Sequence, residues 1–260
     1  MRALIGYTGF VGSTLNKQTK FDDLYRSSNI SEISGRNYDL IVCAGAPGQK
    51  WLANKEPEND LRNIYNLIEQ LKCVSCRQFV LISTVDVFQN PEGVDEKTVI
   101  DIHSLHAYGL NRYTLERYVS DNFKNHLIIR LPGLVGPGLR KNIIYDLLNE
   151  NNLEKINSTD SFQFYPMVNL WFDIQKALLN KISLLHLTAE PITVAEVAQN
   201  CFNQSFNNKL ERAALNYDMH TIHAKIFGGE NGYTCSKKET ILAIRAYVQS
   251  ENTVIYDRGN

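Results

Sequence analysis

Arg2-Ala-Leu-Ile-Gly-Tyr-Thr-Gly-Phe-Val-Gly12 is the stretch that decides the fold. A short apolar run ends in a turn punctuated by Gly6, Gly9 and Gly12, and residues 10–16 suit a helix. This is how a first β-strand hands a dinucleotide to a helix N-terminus. The first glycine permits the tight turn, and the second lets the backbone approach a pyrophosphate. The third lets the helix pack close against the strand, with its free N–H groups facing the phosphates. The spacing is G-x-x-G-x-x-G rather than the commoner G-x-G-x-x-G.

Outward from that turn, strand-like runs alternate with helix-like ones. Strands are expected at 3–6, 23–25, 40–44, 79–82, 126–130 and 184–187. Helices are expected at 60–71, where Leu61, Ile64, Leu67, Ile68 and Leu71 keep a helical repeat, and at 108–122. Strand–helix alternation implies an α/β fold with a doubly wound parallel sheet covered on both faces. Residues 149–160 are polar and asparagine-rich, and 203–233 are irregular. The expected division is 1–137 as the dinucleotide-binding domain and 138–260 as mainly a small substrate-binding region, with about 168–190 returning to the core.

The 260 residues suffice for one large α/β domain with a small appendage. A formal net charge of −1 gives no footprint for nucleic acid or an anionic membrane. No apolar run reaches the roughly 18 residues of a membrane-spanning helix, and no basic segment precedes a long apolar one at the start. The five cysteines read as reduced thiols of a cytoplasmic protein with no nucleic-acid or membrane partner. Cys73-Val-Ser-Cys76 has metal or redox spacing but no second ligand pair, so the expectation is two ordinary thiols and no metal.

Two further segments carry chemistry. Ile82-Ser-Thr-Val-Asp-Val-Phe88 sets Ser83, Thr84 and Asp86 at the carboxyl end of a strand, where open parallel sheets bind ligands. Tyr108-Gly-Leu-Asn-Arg112 opens a helix with Tyr108 and Arg112 on one face. A strand-tip hydroxyl, a tyrosine and a cation one turn on form a proton-transfer unit. The cation favours tyrosinate, the hydroxyl bonds the reacting oxygen, and the tyrosine exchanges its proton as hydride moves to or from a nicotinamide.

In these residues the chain resembles the extended short-chain dehydrogenase/reductases, in the group of NAD(P)-dependent sugar-nucleotide epimerases, dehydratases and reductases. Gly6 to Gly12 resembles that family's cofactor motif, and Ile82 to Phe88 its serine/threonine motif, with Thr84 as the catalytic hydroxyl. Tyr108 to Arg112 resembles its Tyr-x-x-x-Lys. Arg130-Leu-Pro-Gly-Leu-Val-Gly-Pro137 resembles its segment passing the nicotinamide, Pro57 with Asn63 its helix beside the cofactor, and Thr193-Val-Ala-Glu196 a C-terminal helix start. The resemblance implies a Rossmann-type fold and cofactor contacts from Gly6, Thr8, Gly9, Phe10, Val11 and Gly12. It also implies contacts from Ala44, Gly45 and Asn63, and from Leu131, Pro132 and Leu134. It implies catalysis by Thr84, Tyr108 and Arg112, a nucleotide-sugar substrate and a homodimer.

Two departures from the family pattern matter. Arg112 stands where the family has a lysine that holds the nicotinamide ribose; arginine keeps the charge but presents a larger fork, so altered cofactor geometry is expected. Val85-Asp86 replaces the Asp-Glu of the family's dehydratases, which argues against dehydration and leaves Asp86 as a candidate general acid.

For the cofactor, Asp22 and Asp23 fall too early to hold an adenosine ribose. Arg26, Ser27 and Ser28 fall where a 2′-phosphate would sit, which favours NADP over NAD. His103, His106 and Lys50 are weaker candidates for substrate contact, and Phe164, Tyr165 and Trp171 read either as a base-stacking set or as packing. The expected function is an NAD(P)-dependent oxidoreductase or epimerase of a nucleotide-linked sugar, with 4-keto reduction placed ahead of epimerisation. The alternative is a non-catalytic NADP-binding sensor or scaffold of the same fold.

Overall fold

The computed structural model describes the backbone of residues 1–257 and the side chains of residues 1–251. In chain order the elements are β1 (Arg2–Ile5), α1 (Phe10–Gln18), β2 (Asp23–Tyr25), β3 (Asn37–Cys43), α2 (Lys50–Lys55), α3 (Pro57–Leu71) and β4 (Ser75–Thr84). Then come β5 (Glu92–Val94), α4 (Ala107–Asn122), β6 (His126–Leu131), β7 (Gly133–Val135), α5 (Ile143–Leu148), β8 (Ser161–Phe162) and β9 (Phe164–Pro166). The remainder are α6 (Leu170–Leu179), β10 (Leu184–His186), β11 (Ile192–Thr193), α7 (Val194–Phe202), β12 (Asp218–Met219) and α8 (Lys237–Asp257).

The chain divides into two compact units. The first comprises Met1–Gln89, Lys97–Leu131 and Leu170–His186. Its six-stranded sheet runs β10-β6-β4-β3-β1-β2, and every pairing is parallel. The order turns back between β1 and β3, the switch point at which a doubly wound Rossmann-type sheet binds its ligand. The expected strands are all present. Strands β3 and β4 start earlier than expected because their first residues alternate between exposed and covered positions, and only their later parts are continuous apolar runs.

One face of this sheet, with Ala3, Ile5, Ile41, Cys43, Phe79 and Leu81, packs against Ile64, Ile68 and Leu71 of α3 and Leu115 and Val119 of α4. Burying each such large apolar side chain contributes roughly 1.5–3 kcal/mol. The registers align the carboxyl ends: Ile5 lies opposite Tyr25 and Cys43, and Thr84 lies opposite Leu131. The residues that follow those ends, Gly6, Arg26 and Ala44, therefore share one edge of the sheet with Thr84.

The second unit comprises Asn90–Glu96, Pro132–Asn169 and the chain from Leu187 onward. Strand β7 pairs with β9, so the division falls after Leu131, earlier than the boundary expected at residue 137. Strand β8 pairs with β11, and β5 pairs with β12. Helix α7 opens on a complete capping box: Thr193 Oγ1 accepts from the Glu196 N–H, and the Glu196 carboxylate accepts from the Thr193 N–H at 2.8 Å. The irregular stretch after α7 is tied down at Arg212, whose guanidinium donates to both oxygens of buried Asp160 at 2.9 and 2.6 Å.

Candidate active site

The glycine turn forms as its residue types require. Gly6 has φ +84°, and a Cβ there would lie 2.3 Å from the Ala44 carbonyl oxygen. A Cβ on Gly12 would lie 2.0 Å from the Gly6 carbonyl oxygen, so α1 presses directly on the turn. A Cβ on Gly9 would meet only the Gly6 oxygen, at 3.5 Å. Gly9 is the N-cap of α1; no side chain caps the helix and no acid stands in its first turn. The first helical bond runs from the Ser13 N–H to Gly9 O at 2.8 Å, so the N–H groups of Phe10, Val11 and Gly12 have no acceptor within α1, and with the helix dipole they suit an anion. The cradle fits a pyrophosphate.

At the end of β2, Asn29 clamps the turn: its Oδ1 accepts from the Arg26 N–H at 2.8 Å, and its Nδ2 donates to Leu24 O at 3.1 Å. Arg26, Ser27 and Ser28 are left exposed. The two acids before them are engaged elsewhere, Asp22 with the Arg2 N–H at 2.6 Å and Asp23 with the Tyr38 hydroxyl at 2.5 Å.

Strand alternation sends Ser83 and Thr84 to opposite sides. Ser83 is buried and donates to Glu116 at 2.5 Å; Glu116 also pairs with Arg130 at 2.7 Å, so this hydroxyl belongs to an internal network. Thr84 ends β4 and caps the short 3₁₀ turn Val85–Val87. Its Oγ1 accepts from the Asp86 N–H at 3.2 Å and donates to Asp86 Oδ2 at 3.3 Å. The Tyr108 phenol lies near Thr84 and Asp86, both of which act on it. The Tyr108 ring is buried, and the residue's backbone N–H donates to Asn54 Oδ1 at 2.9 Å.

Burial pushes the Tyr108 phenol above its ordinary value. The Arg112 charge pulls it down, Asp86 pushes it up, and the Thr84 hydroxyl and Lys50 pull it down. The approach of α4 depends on Gly109, which sequence reasoning passed over: a Cβ there would lie 2.0 Å from Asp86 O.

Arg112 is 3% exposed. Its Nη1 donates to Asp60 Oδ2, and its Nη2 donates to the Pro47 carbonyl and, at 2.9 Å, to Asp60 Oδ1. Asn111 Nδ2 also reaches Asp60, at 2.8 Å. The guanidinium carbon stands 4.0 Å from the Tyr108 ring centroid, a cation–π contact. The buried Arg112 Nε has no hydrogen-bond partner. Lys50, the first residue of α2, pairs with Asp86 Oδ1 at 2.7 Å. Neither pairing had a local signal, since the partners stand far apart in sequence.

Other candidates fall into place around this cluster or outside it. His106 is the N-cap of α4 and its Nδ1 accepts from the Gly109 N–H at 3.1 Å. Burial and then the Lys50 charge push its imidazole below the ordinary value, against the pull of Asp86. His103 and Asn63 are exposed, and Ala44 and Gly45 are half-buried beside the glycine turn. Leu131 ends β6, whereas Pro132 and Leu134 begin the second unit. Phe164 and Tyr165 are fully buried and Trp171 packs edge-on against Phe21, so these rings are packing and do not form a stacking platform.

The five cysteines are free thiols. Among the described residues no group of three His, Cys, Asp or Glu side chains is placed to hold a metal ion, and no helix is long and apolar enough to cross a membrane. A concavity of about 790 Å³, lined by Arg2, Asp22, Asp39 and Arg77, opens at the amino-terminal edge of the sheet and holds none of the candidate residues.

The chain is similar in structure to a dTDP-4-dehydrorhamnose reductase from Clostridium acetobutylicum, with a TM-score of 0.72 and 15% identity over 97% of this chain and 100% of that one. It is similar to a UDP-galactose 4-epimerase, with a TM-score of 0.74 and 16% identity over 97% and 99%. It is also similar to a dTDP-4-dehydrorhamnose reductase from Bacillus anthracis in complex with NADP, with a TM-score of 0.72 and 16% identity over 96% and 98%. The chain has their fold. No family model matches it, and no curated protein matches it in sequence.

Proposed function

We propose that this chain is an NADP-dependent oxidoreductase of the extended short-chain dehydrogenase/reductase family acting on a nucleotide-linked sugar, by 4-keto reduction or, second, by epimerisation. The observation that carries this reading is the close approach of α4 at Gly109 to the turn after Thr84, which brings Tyr108, with the Arg112 guanidinium 4.0 Å from its ring, to the strand edge that also holds the glycine cradle. The cofactors and substrates of the similar structures point the same way.

Gly6, Thr8, Gly9, Phe10, Val11 and Gly12 would hold the pyrophosphate, and Arg26, Ser27 and Ser28 the 2′-phosphate. Ala44, Gly45 and Asn63 would flank the cofactor, with Leu131 along the nicotinamide. The bound nicotinamide supplies the hydride. Tyr108, kept protonated at neutral pH because burial raises its phenol, gives its proton to the carbonyl oxygen, and the Thr84 hydroxyl holds that oxygen. Arg112 acts by charge on the Tyr108 ring. Both its Nη groups are engaged, which leaves only Nε to reach a ribose. Asp86 is the candidate second acid.

A cytoplasmic homodimer through α3 and α4 completes the reading, supported by exposed Tyr65 and Leu110; sedimentation would show the dimer. The test of function is NADPH oxidation by the purified chain across dTDP-, UDP- and GDP-linked keto sugars. Turnover with at least one supports the proposal. NADPH binding with no turnover on any of them would indicate a non-catalytic binding protein.

A further inference from the structure

Helix α4 carries Tyr108 in its first turn, where backbone N–H groups have no acceptor within the helix. Its first helical bond runs from the Leu110 N–H to His106 O at 3.0 Å. The two donors just before it are met by side chains. The Tyr108 N–H donates to Asn54 Oδ1 at 2.9 Å, and the Gly109 N–H donates to His106 Nδ1 at 3.1 Å. Gly109 is also where α4 presses on the turn after Thr84, since a Cβ there would lie 2.0 Å from Asp86 O. The cap and the contact therefore fix the same residue, next to Tyr108.

Histidine is an unusual cap. Serine, threonine, asparagine and aspartate are the usual ones, and the oxygens of the first three accept at every pH. An imidazole nitrogen accepts only while it carries no proton. His106 thus caps α4 as the neutral ring, with its hydrogen on Nε2. Protonation would turn a donor towards the Gly109 N–H and set a positive charge at the positive end of the helix dipole.

We propose that His106 is a positioning residue whose neutral imidazole holds the first turn of α4, and with it Tyr108, at the strand edge, so that protonating this ring loosens the turn and lowers turnover in acid. The inference rests on the oxidoreductase reading above. The groups that face His106 are Lys50 of α2, Asp86 of the 3₁₀ turn and, on α4 itself, the Tyr108 ring, with centroids 6.3 Å apart. Burial and then the Lys50 charge hold the imidazole below its ordinary 6.5, and Asp86 opposes them. The cap is therefore intact at neutral pH and is lost only as the pH falls below 6.5.

The experiment compares wild type, His106→Asn and His106→Ala between about pH 5 and about pH 8, on the keto-sugar nucleotide that the wild type turns over. The dissociation constant of NADPH is read separately by fluorescence. Wild-type kcat is expected to fall along an acid limb with its midpoint below 6.5, while NADPH affinity holds. His106→Asn, which caps at every pH, is expected to keep kcat within about twofold of wild type at neutral pH and to lose the limb. His106→Ala is expected to lower kcat about tenfold at neutral pH, with KM and NADPH affinity within about twofold. Long-range proton–nitrogen magnetic resonance reads the ring without substrate: the hydrogen is expected on Nε2 at neutral pH, with titration below 6.5.

A hydrogen on Nδ1 at neutral pH, a slow His106→Asn, an acid limb that persists in His106→Asn, or full rate in His106→Ala would each overturn the positioning role and leave the oxidoreductase reading standing. A persisting limb would belong to Asp86 instead. A wild type inactive on every keto-sugar nucleotide would overturn that reading, and the positioning role with it, however the ring titrates.

Discussion

Asp60 on α3 and Arg112 on α4 form a buried, two-pronged ion pair, with side chains 6% and 3% exposed. The pair joins the two helices that cover one face of the sheet and holds a positive charge against the Tyr108 ring. Removing one partner of such a pair leaves the other charge buried and uncompensated. Asp60→Ala is therefore expected to lower stability by about 3–5 kcal/mol, read from urea unfolding. Asp60→Asn, which keeps hydrogen-bonding atoms, is expected to cost less. A loss below about 1 kcal/mol in Asp60→Ala would show that the pair is not closed off from water as described.

Gly109 gives a second expectation. A Cβ there would sit 2.0 Å from the Asp86 carbonyl oxygen, a backbone atom with little room to move. Gly109→Ala must push α4 away from the 3₁₀ turn, at a cost of about 1–3 kcal/mol, and with it Tyr108 away from Thr84. The expected result is a folded protein with a kcat at least about tenfold lower, since displacements near 1 Å at a reacting group cost up to about 100-fold. Equal kcat in the two proteins would count against the role of this contact.

Much of this was legible in the sequence because the signals are local. The apolar run into Gly6, Gly9 and Gly12 specifies a strand, a turn and a helix within a dozen residues, and they form there. Alternation along β4 separates a buried Ser83 from a Thr84 at the site. The starts of β3 and β4 were missed because Asn37, Asp39 and Ser75 are exposed positions on half-covered strand ends. The pairings Asp60–Arg112 and Lys50–Asp86 were not legible at all. They join residues brought together only by sheet and helix packing, and no periodicity relates their positions. Phe164 and Tyr165 offered aromatic surface in the sequence, but the second unit buries them completely.

Cys43, like Cys76 and Cys201, should make stability fall in alkali. Burial raises its thiol from an ordinary 9.0 to about 11. Above pH 9 the unfolded chain releases this proton while the folded chain retains it, so stabilisation present below pH 9 is lost as the pH rises towards 11. Two pKa units correspond to roughly 3 kcal/mol. Between pH 9 and 11 the wild-type Tm should fall more steeply than that of Cys43→Ala; parallel curves would contradict this.

Arg26 should set cofactor preference. Charge-assisted hydrogen bonds of about 1.5–3 kcal/mol to a 2′-phosphate predict that Arg26→Ala weakens NADPH binding roughly 10- to 100-fold. NADH binding should hardly change. Titration of both nucleotides by fluorescence distinguishes this from a solvated arginine, which would leave both affinities unaltered.

In the proposed reaction the Tyr108 hydroxyl delivers the proton to the reacting oxygen. The most direct test of this role is NADPH oxidation by wild type and Tyr108→Phe on the same keto-sugar nucleotide, with NADPH affinity measured in both. The kcat of Tyr108→Phe is expected to be lower by at least about 100-fold, with NADPH affinity preserved. Equal kcat values in the two proteins would contradict it.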